Sequence, residues 1–120
     1  MTRDHRKLRA FQHADTLVLD VYRLTAHMPR EERFGLQAQI RRASISTVAN
    51  IVEGAARPGL RDYVRFLSLS LGSARECAYL LDLAGRLNQL DPVAIAPLTL
   101  KYGTVQASLI NLCRALETRG

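Results

Sequence analysis

The chain has little of what a metal centre, a disulfide framework or a membrane span requires. Its 120 residues include no tryptophan, two cysteines and three histidines. Two cysteines that lie far apart among apolar residues indicate reduced core thiols, so we expect neither a metal site nor a cofactor. No run approaches the roughly 18 consecutive apolar residues of a transmembrane helix. With no signal peptide in view, the sequence predicts a cytoplasmic protein without a membrane partner.

Catalytic patterns are also lacking. Gly54 and Gly59 flank a turn, but no Lys-Ser or Lys-Thr pair follows to complete a phosphate-binding loop. The nearest approach to an active site is Asn50 with Glu53, in which Glu53 would act as a general base and Asn50 would orient a substrate. Such a pair is far more often a hydrogen-bonded structural seam. We therefore predict that Asn50 and Glu53 are structural and that the protein is not an enzyme.

Four segments have helical periodicity, and proline and glycine separate them. The breakers are Pro29, Gly35, the stretch 54–59 and the Asp91-Pro92 pair. Short connections favour antiparallel neighbours, so the sequence predicts an all-α fold, an antiparallel up-down-up-down four-helix bundle. The predicted helices, in one domain over residues 1–120, are about 11–28, 35–56, 60–90 and 92–118.

The second and third predicted helices are apolar on more than one face. A helix in a four-helix bundle needs only one apolar stripe, so a second stripe predicts contact with another copy of the chain. The alternative is that long, tilted helices use both stripes within one core. The predicted interface residues are Ile45, Val52, Leu69, Leu80, Leu83 and Leu87.

Positive charge exceeds negative charge, with 17 basic against 11 acidic side chains and a formal net charge of +6. All the basic residues except two lysines are arginine, whose planar guanidinium matches phosphate oxygens. Phosphate contacts give binding to RNA or DNA without sequence preference. The alternatives are a solvated face, or a protein-protein interaction module whose arginines form salt bridges between subunits. The predicted nucleic-acid-binding residues are Arg41, Arg42, Arg57, Arg61 and Arg65.

Short motifs follow one another across nearly the whole chain. They are Phe11-Gln12, Tyr22-Arg23-Leu24-Thr25, Glu32-Arg33-Phe34-Gly35-Leu36, Gln39-Ile40-Arg41-Arg42-Ala43, Asn50-Ile51-Val52-Glu53-Gly54, Arg65-Phe66-Leu67 and Gly72-Ser73-Ala74-Arg75-Glu76. In order and spacing they resemble the bacterial four-helix bundle proteins first noted in insertions within 23S ribosomal RNA genes. The accessory variability determinant of diversity-generating retroelements is similar.

The resemblance implies a homopentameric barrel of bundles with a basic surface that contacts nucleic acid. In the retroelement members it also implies a reverse-transcriptase partner. One departure is the pair Thr47-Val48, where the family usually has Ile-Pro. Without that proline we expect a straighter second helix.

Overall fold

Residues 3–119, the part of the chain that the computed structural model describes, fold into helices joined by short turns, without a β-strand. This confirms the predicted all-α fold with four helices. The predicted domain also includes residues 1, 2 and 120, which lie outside the described part. The four helices are α1 (Arg9–Thr25), α2 (Leu36–Ala55), α3 (Leu60–Arg86) and α4 (Pro92–Glu117), and short 3₁₀ helices cover His5–Lys7 and Arg30–Glu32.

The turn between α3 and α4 ends one helix and starts the next by local hydrogen bonds. Asn88 has a φ of 59°, and the N–H of Gln89 donates to the carbonyl of Ala84 at 2.9 Å, a pattern that terminates helices. This left-handed residue ends α3 at Arg86 rather than near 90 as predicted. The Asp91 carboxylate then accepts the N–H of Val93 at 2.9 Å and caps α4.

Glu32 connects the two turns at one end of the molecule. One of its carboxylate oxygens accepts the N–H of Leu36 at 3.1 Å, which satisfies a donor in the first turn of α2. The other accepts the side-chain amide of Gln89 at 2.6 Å. These bonds hold the pKa of Glu32 below its ordinary value, the backbone bond from Leu36 having the larger effect. The turn before α2 is thereby joined to the turn after α3.

Each helix packs against two neighbours, α1 and α3 each lying against both α2 and α4. The α2–α3 contact contains polar bonds as well as apolar packing. Ser70 Oγ donates to the Thr47 carbonyl at 2.6 Å, and the Cys77 thiol reaches the Ile40 carbonyl at 3.7 Å. Residues later in α2 therefore contact residues earlier in α3. In the described chain α2 and α4 share no contact, so they occupy opposite corners of the bundle.

One apolar stripe from each helix forms the core. Each such side chain contributes roughly 1.5–3 kcal/mol when it leaves water, so this burial is the main favourable term in folding. Thr47 lies in the same core, and its hydroxyl donates to the Ala43 carbonyl. The helix α2 runs without a break through Val48, the position at which the resemblance implies proline. The largest fully buried apolar side chains include Leu17, Val21, Ile40, Ile51, Leu67, Leu81, Tyr102, Val105 and Leu109.

Gly54 lets α2 and α3 approach closely near their shared turn. A Cβ atom at this position would lie 2.8 Å from Phe66 Cβ and 3.3 Å from the Tyr63 carbonyl oxygen. Real Cβ atoms do not approach so closely, and backbone cannot move aside as a flexible side chain can. Glycine is therefore required here by packing.

Replacing Gly54 by alanine should destabilise the protein by about 1–3 kcal/mol, because the added methyl overpacks the α2–α3 contact. Gly72→Ala is the matched control, since its Cβ would meet nothing within 4 Å. The control should stabilise the helix by up to about 1 kcal/mol. Urea unfolding followed by circular dichroism measures both changes. Equal effects of the two substitutions would contradict the close approach at Gly54.

Cys77 is a fully buried thiol between α2 and α4. Burial raises its pKa to about 11, and burial likewise raises the pKa of the neighbouring Tyr102 phenol well above its ordinary value. Only the thiolate is a strong nucleophile. The raised pKa and the lack of access both oppose reaction with alkylating agents.

Iodoacetamide at pH 8 should therefore leave Cys77 unmodified in the folded protein. The same reagent should label it readily in 6 M guanidinium chloride, where its pKa returns to the ordinary range. Peptide mass spectrometry of samples taken over time distinguishes the two cases. Labelling of Cys77 in the folded protein as fast as in the unfolded chain would show that the thiol is accessible.

Candidate functional site

The turn between α2 and α3 carries three of the predicted arginines. Arg57 follows the end of α2, and Arg61 and Arg65 project from the first two turns of α3. The spacing of four residues places Arg61 and Arg65 on neighbouring turns of one helix face. Arg57 is half-buried, whereas Arg61 and Arg65 are exposed.

A fourth arginine reaches this turn from the beginning of the chain. The N–H of Arg3 donates to the Ala55 carbonyl at 3.3 Å, and its guanidinium donates to the Arg57 carbonyl. The guanidinium also lies over the Tyr63 ring, 4.2 Å from its centre. The sequence analysis did not select Arg3, although the basic residues that follow it indicated positive charge near the start of the chain. We call Arg3, Arg57, Arg61 and Arg65 the arginine cluster.

Two carboxylates and one aromatic ring orient the cluster. Arg57 bonds Glu53 at 3.2 Å, and Arg65 Nε bonds Asp62 at 3.1 Å. Both guanidiniums lie over the Phe66 ring, at 4.7 Å and 4.6 Å from its centre. Because Arg65 uses Nε for Asp62, its terminal amino groups keep donors for another acceptor. These exposed ion pairs contribute little to stability, so their main effect is on orientation.

Arg61 is the member of the cluster with the greatest freedom to bind a ligand. It is exposed and forms no ion pair with any carboxylate of residues 3–119. Its side chain lines a shallow apolar pocket with Leu60, Val64, Leu116 and the neighbouring Glu117. The end of α4 therefore lies beside the cluster.

Arg41 and Arg42 lie elsewhere on the molecule. Arg41 Nε donates to Thr25 Oγ1 at 2.9 Å, its Nη2 donates to the Tyr22 carbonyl at 3.2 Å, and it stacks on the Tyr22 ring. It thus attaches α2 to the end of α1. Arg42 is exposed and, within residues 3–119, has no carboxylate partner. Sixteen residues, most of them in α2, separate Arg41 from Arg57, or about 24 Å at 1.5 Å per residue, so the five predicted arginines do not form one surface.

The Asn50 and Glu53 side chains do not converge on a common ligand. Asn50 donates to the Ser46 carbonyl at 2.9 Å and to the Ser46 hydroxyl at 3.1 Å. That hydroxyl bonds Ser73 across the helix contact, also at 2.9 Å. Glu53 is exposed and faces Arg57. Asn50 thus belongs to a polar contact between α2 and α3, whereas Glu53 pairs along its own segment. Within residues 3–119, no three histidine, cysteine or acidic side chains are grouped as metal ligands.

The predicted interface residues divide into exposed and buried ones. Ile45, Val52, Leu69 and Leu87 are exposed, and Leu83 is half-buried against the core. Leu80, in contrast, is only 7% exposed and belongs to the core, because its position on α3 points toward the neighbouring helix rather than outward.

Sequence reasoning overlooked a second apolar surface, on α4. Val93 and Leu100 are 79% and 75% exposed, among the highest values for large apolar side chains in the molecule. The signal was the low charge of this helix, in which Lys101, Arg114 and Glu117 are the charged residues.

No helix in the described chain combines the length and apolar character needed to cross a membrane. No curated protein matches the chain. A crystal structure of a protein with unknown function from the S23 ribosomal protein family of Bacteroides thetaiotaomicron superposes with a TM-score of 0.80. The superposition covers 87% of this chain and 97% of that one at 20% identity, a level at which the likeness shows a shared fold.

The sequence pattern of the 23S rRNA-intervening sequence proteins matches residues 6–111. This range includes all the motifs on which the resemblance was based and extends from the 3₁₀ helix before α1 into the last turns of α4. The chain belongs to the 23S rRNA-intervening sequence protein family.

Proposed function

We propose that the protein is a non-enzymatic, homo-oligomeric helical scaffold whose basic surface contacts RNA or DNA through backbone phosphates. The observation that carries this proposal is the arginine cluster. The start of the chain, the end of α2 and the start of α3 each contribute to it. Two of its four guanidiniums, Arg57 and Arg65, pair with Glu53 and Asp62, and Glu117 lies beside Arg61, so four arginines against three carboxylates leave a local excess of positive charge.

Binding at the cluster would be electrostatic. Arg61 and the terminal amino groups of Arg65 would donate to phosphate oxygens, and the release of counterions would drive association. The aromatic rings nearby do not favour stacking on bases, because Tyr63 is buried and Phe66 lies under two guanidiniums. We therefore expect little sequence preference.

The scaffold part of the proposal is an antiparallel up-down-up-down bundle that assembles, as the family resemblance implies, into a pentamer. The antiparallel arrangement is supported by the contacts in which residues later in α2 meet residues earlier in α3. The exposure of Ile45 and Val52 on the outer face of α2 supports self-association, because exposed apolar patches usually mark interfaces. Buried, reduced Cys77 and Cys113 suit a protein of the cytoplasm.

A second candidate function is a protein-protein interaction module in which arginines form salt bridges between subunits. Arg42 and Arg61 favour it, since neither has a carboxylate partner in the described part of one subunit. The two functions differ in their response to salt. An oligomer held by ion pairs should dissociate as ionic strength rises. An oligomer held by apolar contacts should keep its molecular mass at high salt and should lose only its binding to a polyanion.

The double substitution Arg61→Glu and Arg65→Glu should weaken binding to a labelled 20-nucleotide RNA of mixed sequence. For a single strand each lost phosphate contact lowers the slope of log K against log salt by about 0.7, so the double variant should lose about 1.4 from that slope. Fluorescence anisotropy at several salt concentrations measures it. Light scattering should give the variant the same mass as the unaltered protein.

The pair Arg30→Glu and Arg33→Glu is the matched control, since it changes net charge equally at exposed residues between α1 and α2. It should leave most of the binding intact. If the control weakens binding as much as the cluster variant, net charge rather than the cluster accounts for binding. If the unaltered protein ignores RNA and DNA at low salt, the nucleic-acid proposal is wrong.

A further inference from the structure

The outward faces of the four helices differ in character. On α1 and α3 the outward face carries charged residues such as Arg23 and Glu76. On α2 and α4 a line of apolar residues is at least partly exposed, beside charged residues such as Arg42 and Lys101. The α2 seam consists of Ile45, Ala49, Val52 and Ala56, with exposed Arg42 one position earlier on the same line, and the α4 seam consists of Val93, Ala96, Leu100, Gly103 and Ala107.

Both seams have the spacing of a coiled-coil contact. Steps of three and four residues alternate along each, which keeps the side chains on one line facing a partner helix. Large and small residues also alternate. In the α2 seam Ile45 and Val52 alternate with alanines, and in the α4 seam Val93 and Leu100 alternate with Ala96 and Gly103. Large side chains of one seam therefore match hollows of the other.

Gly103 has no explanation within the subunit. It lies in the interior of α4, where glycine is less favourable than alanine. A Cβ atom at this position would meet nothing within 4 Å, so internal packing does not require its absence. Close approach of another backbone from outside would account for a glycine here.

The two seams lie on different sides of the subunit, because α2 and α4 are not in contact and are separated by α1 and α3. Pairing of identical faces about a two-fold axis would cover one seam and leave the other in water. Head-to-tail pairing, in which the α2 seam of one copy contacts the α4 seam of the next, covers both seams. We propose that the α4 seam is a docking surface for the α2 seam of a second copy of this chain. The proposal rests on the self-association in the proposed function and assigns its surfaces.

The exposed area fits an unfilled interface. The subunit exposes 7188 Å², about 700 Å² more than the roughly 6,500 Å² expected for a monomeric protein of 13.4 kDa. A standard interface removes about 800 Å² from each partner. The charges on α4 also favour an apolar partner. Lys101, the charged residue nearest the middle of α4, pairs with Asp20 of the same subunit at 3.7 Å. The seam itself is uncharged and offers nothing to a polyanion.

Two charge substitutions, each on one seam, test the pairing. Ile45→Glu removes the α2 seam and keeps the α4 seam, and Leu100→Glu does the reverse. Both side chains are well exposed, so each subunit should still fold. Alone, each variant should be monomeric by light scattering. Mixed in equal amounts they should form a dimer of twice the subunit mass, because the two intact seams complement each other.

Leu19→Glu is the matched control, an exposed leucine on the charged face of α1. It should assemble like the unaltered protein. Assembly of Leu100→Glu to the full mass would overturn the α4 assignment while leaving the scaffold proposal in place. A dimer formed by either variant alone, with none specific to the mixture, would show pairing of identical faces instead. A monomeric unaltered protein would refute self-association itself, and this inference with it.

Gly103→Ala tests the close approach separately. Introduced into the Ile45→Glu variant, it should raise the melting temperature of the monomer, because alanine favours helix. It should also weaken dimer formation with Leu100→Glu at least tenfold, because the methyl holds the helices apart. Gly72→Ala, exposed on α3 with equal space around it, should raise the melting temperature without weakening the dimer. An undiminished affinity with Gly103→Ala would contradict the docking geometry.

Discussion

The packing of α2 against α3 is the constraint on which the other features depend. It brings the two backbones together at Gly54 and pairs the Ser46 and Ser73 hydroxyls along its length. Because one side of α2 is committed to this contact and the next to α1, its third side points outward with Ile45 and Val52. The same contact fixes the direction of the turn that presents Arg57 and Arg61.

The arginines of this chain fall into two groups, those bonded within the subunit and those without an acidic partner. Arg41 and Arg57 are tied to carbonyl, hydroxyl or carboxylate oxygens of the same subunit and hold segments together. Arg42 and Arg61 have no such acidic partner within residues 3–119. The number of basic residues in the sequence does not distinguish these two groups. Only the second kind, with Arg65 through its unused donors, offers a polyanion a site without first losing an internal bond.

Periodicity predicted the helices well, because each must bury an apolar stripe wherever it lies. It extended α3 to 90, since nothing in the composition marks Asn88 as left-handed. It also assigned Leu80 to an interface, because a position at the margin of a helix face becomes buried or exposed only when the neighbouring helix is placed. The exposed face of α4 was missed because this helix has few charged residues, so its sequence marks its outward side only weakly.

By itself the sequence determined the four helices, the family and the excess of positive charge, all of which depend on local pattern or on composition. The tertiary structure decided which residues meet. It brought Arg3 to Arg57 across 54 residues, assigned Arg41 to an internal bond and placed α2 and α4 at opposite corners. Local preferences act over a few residues, whereas these outcomes depend on how whole helices pack, and that is set by shape and burial summed over the entire core.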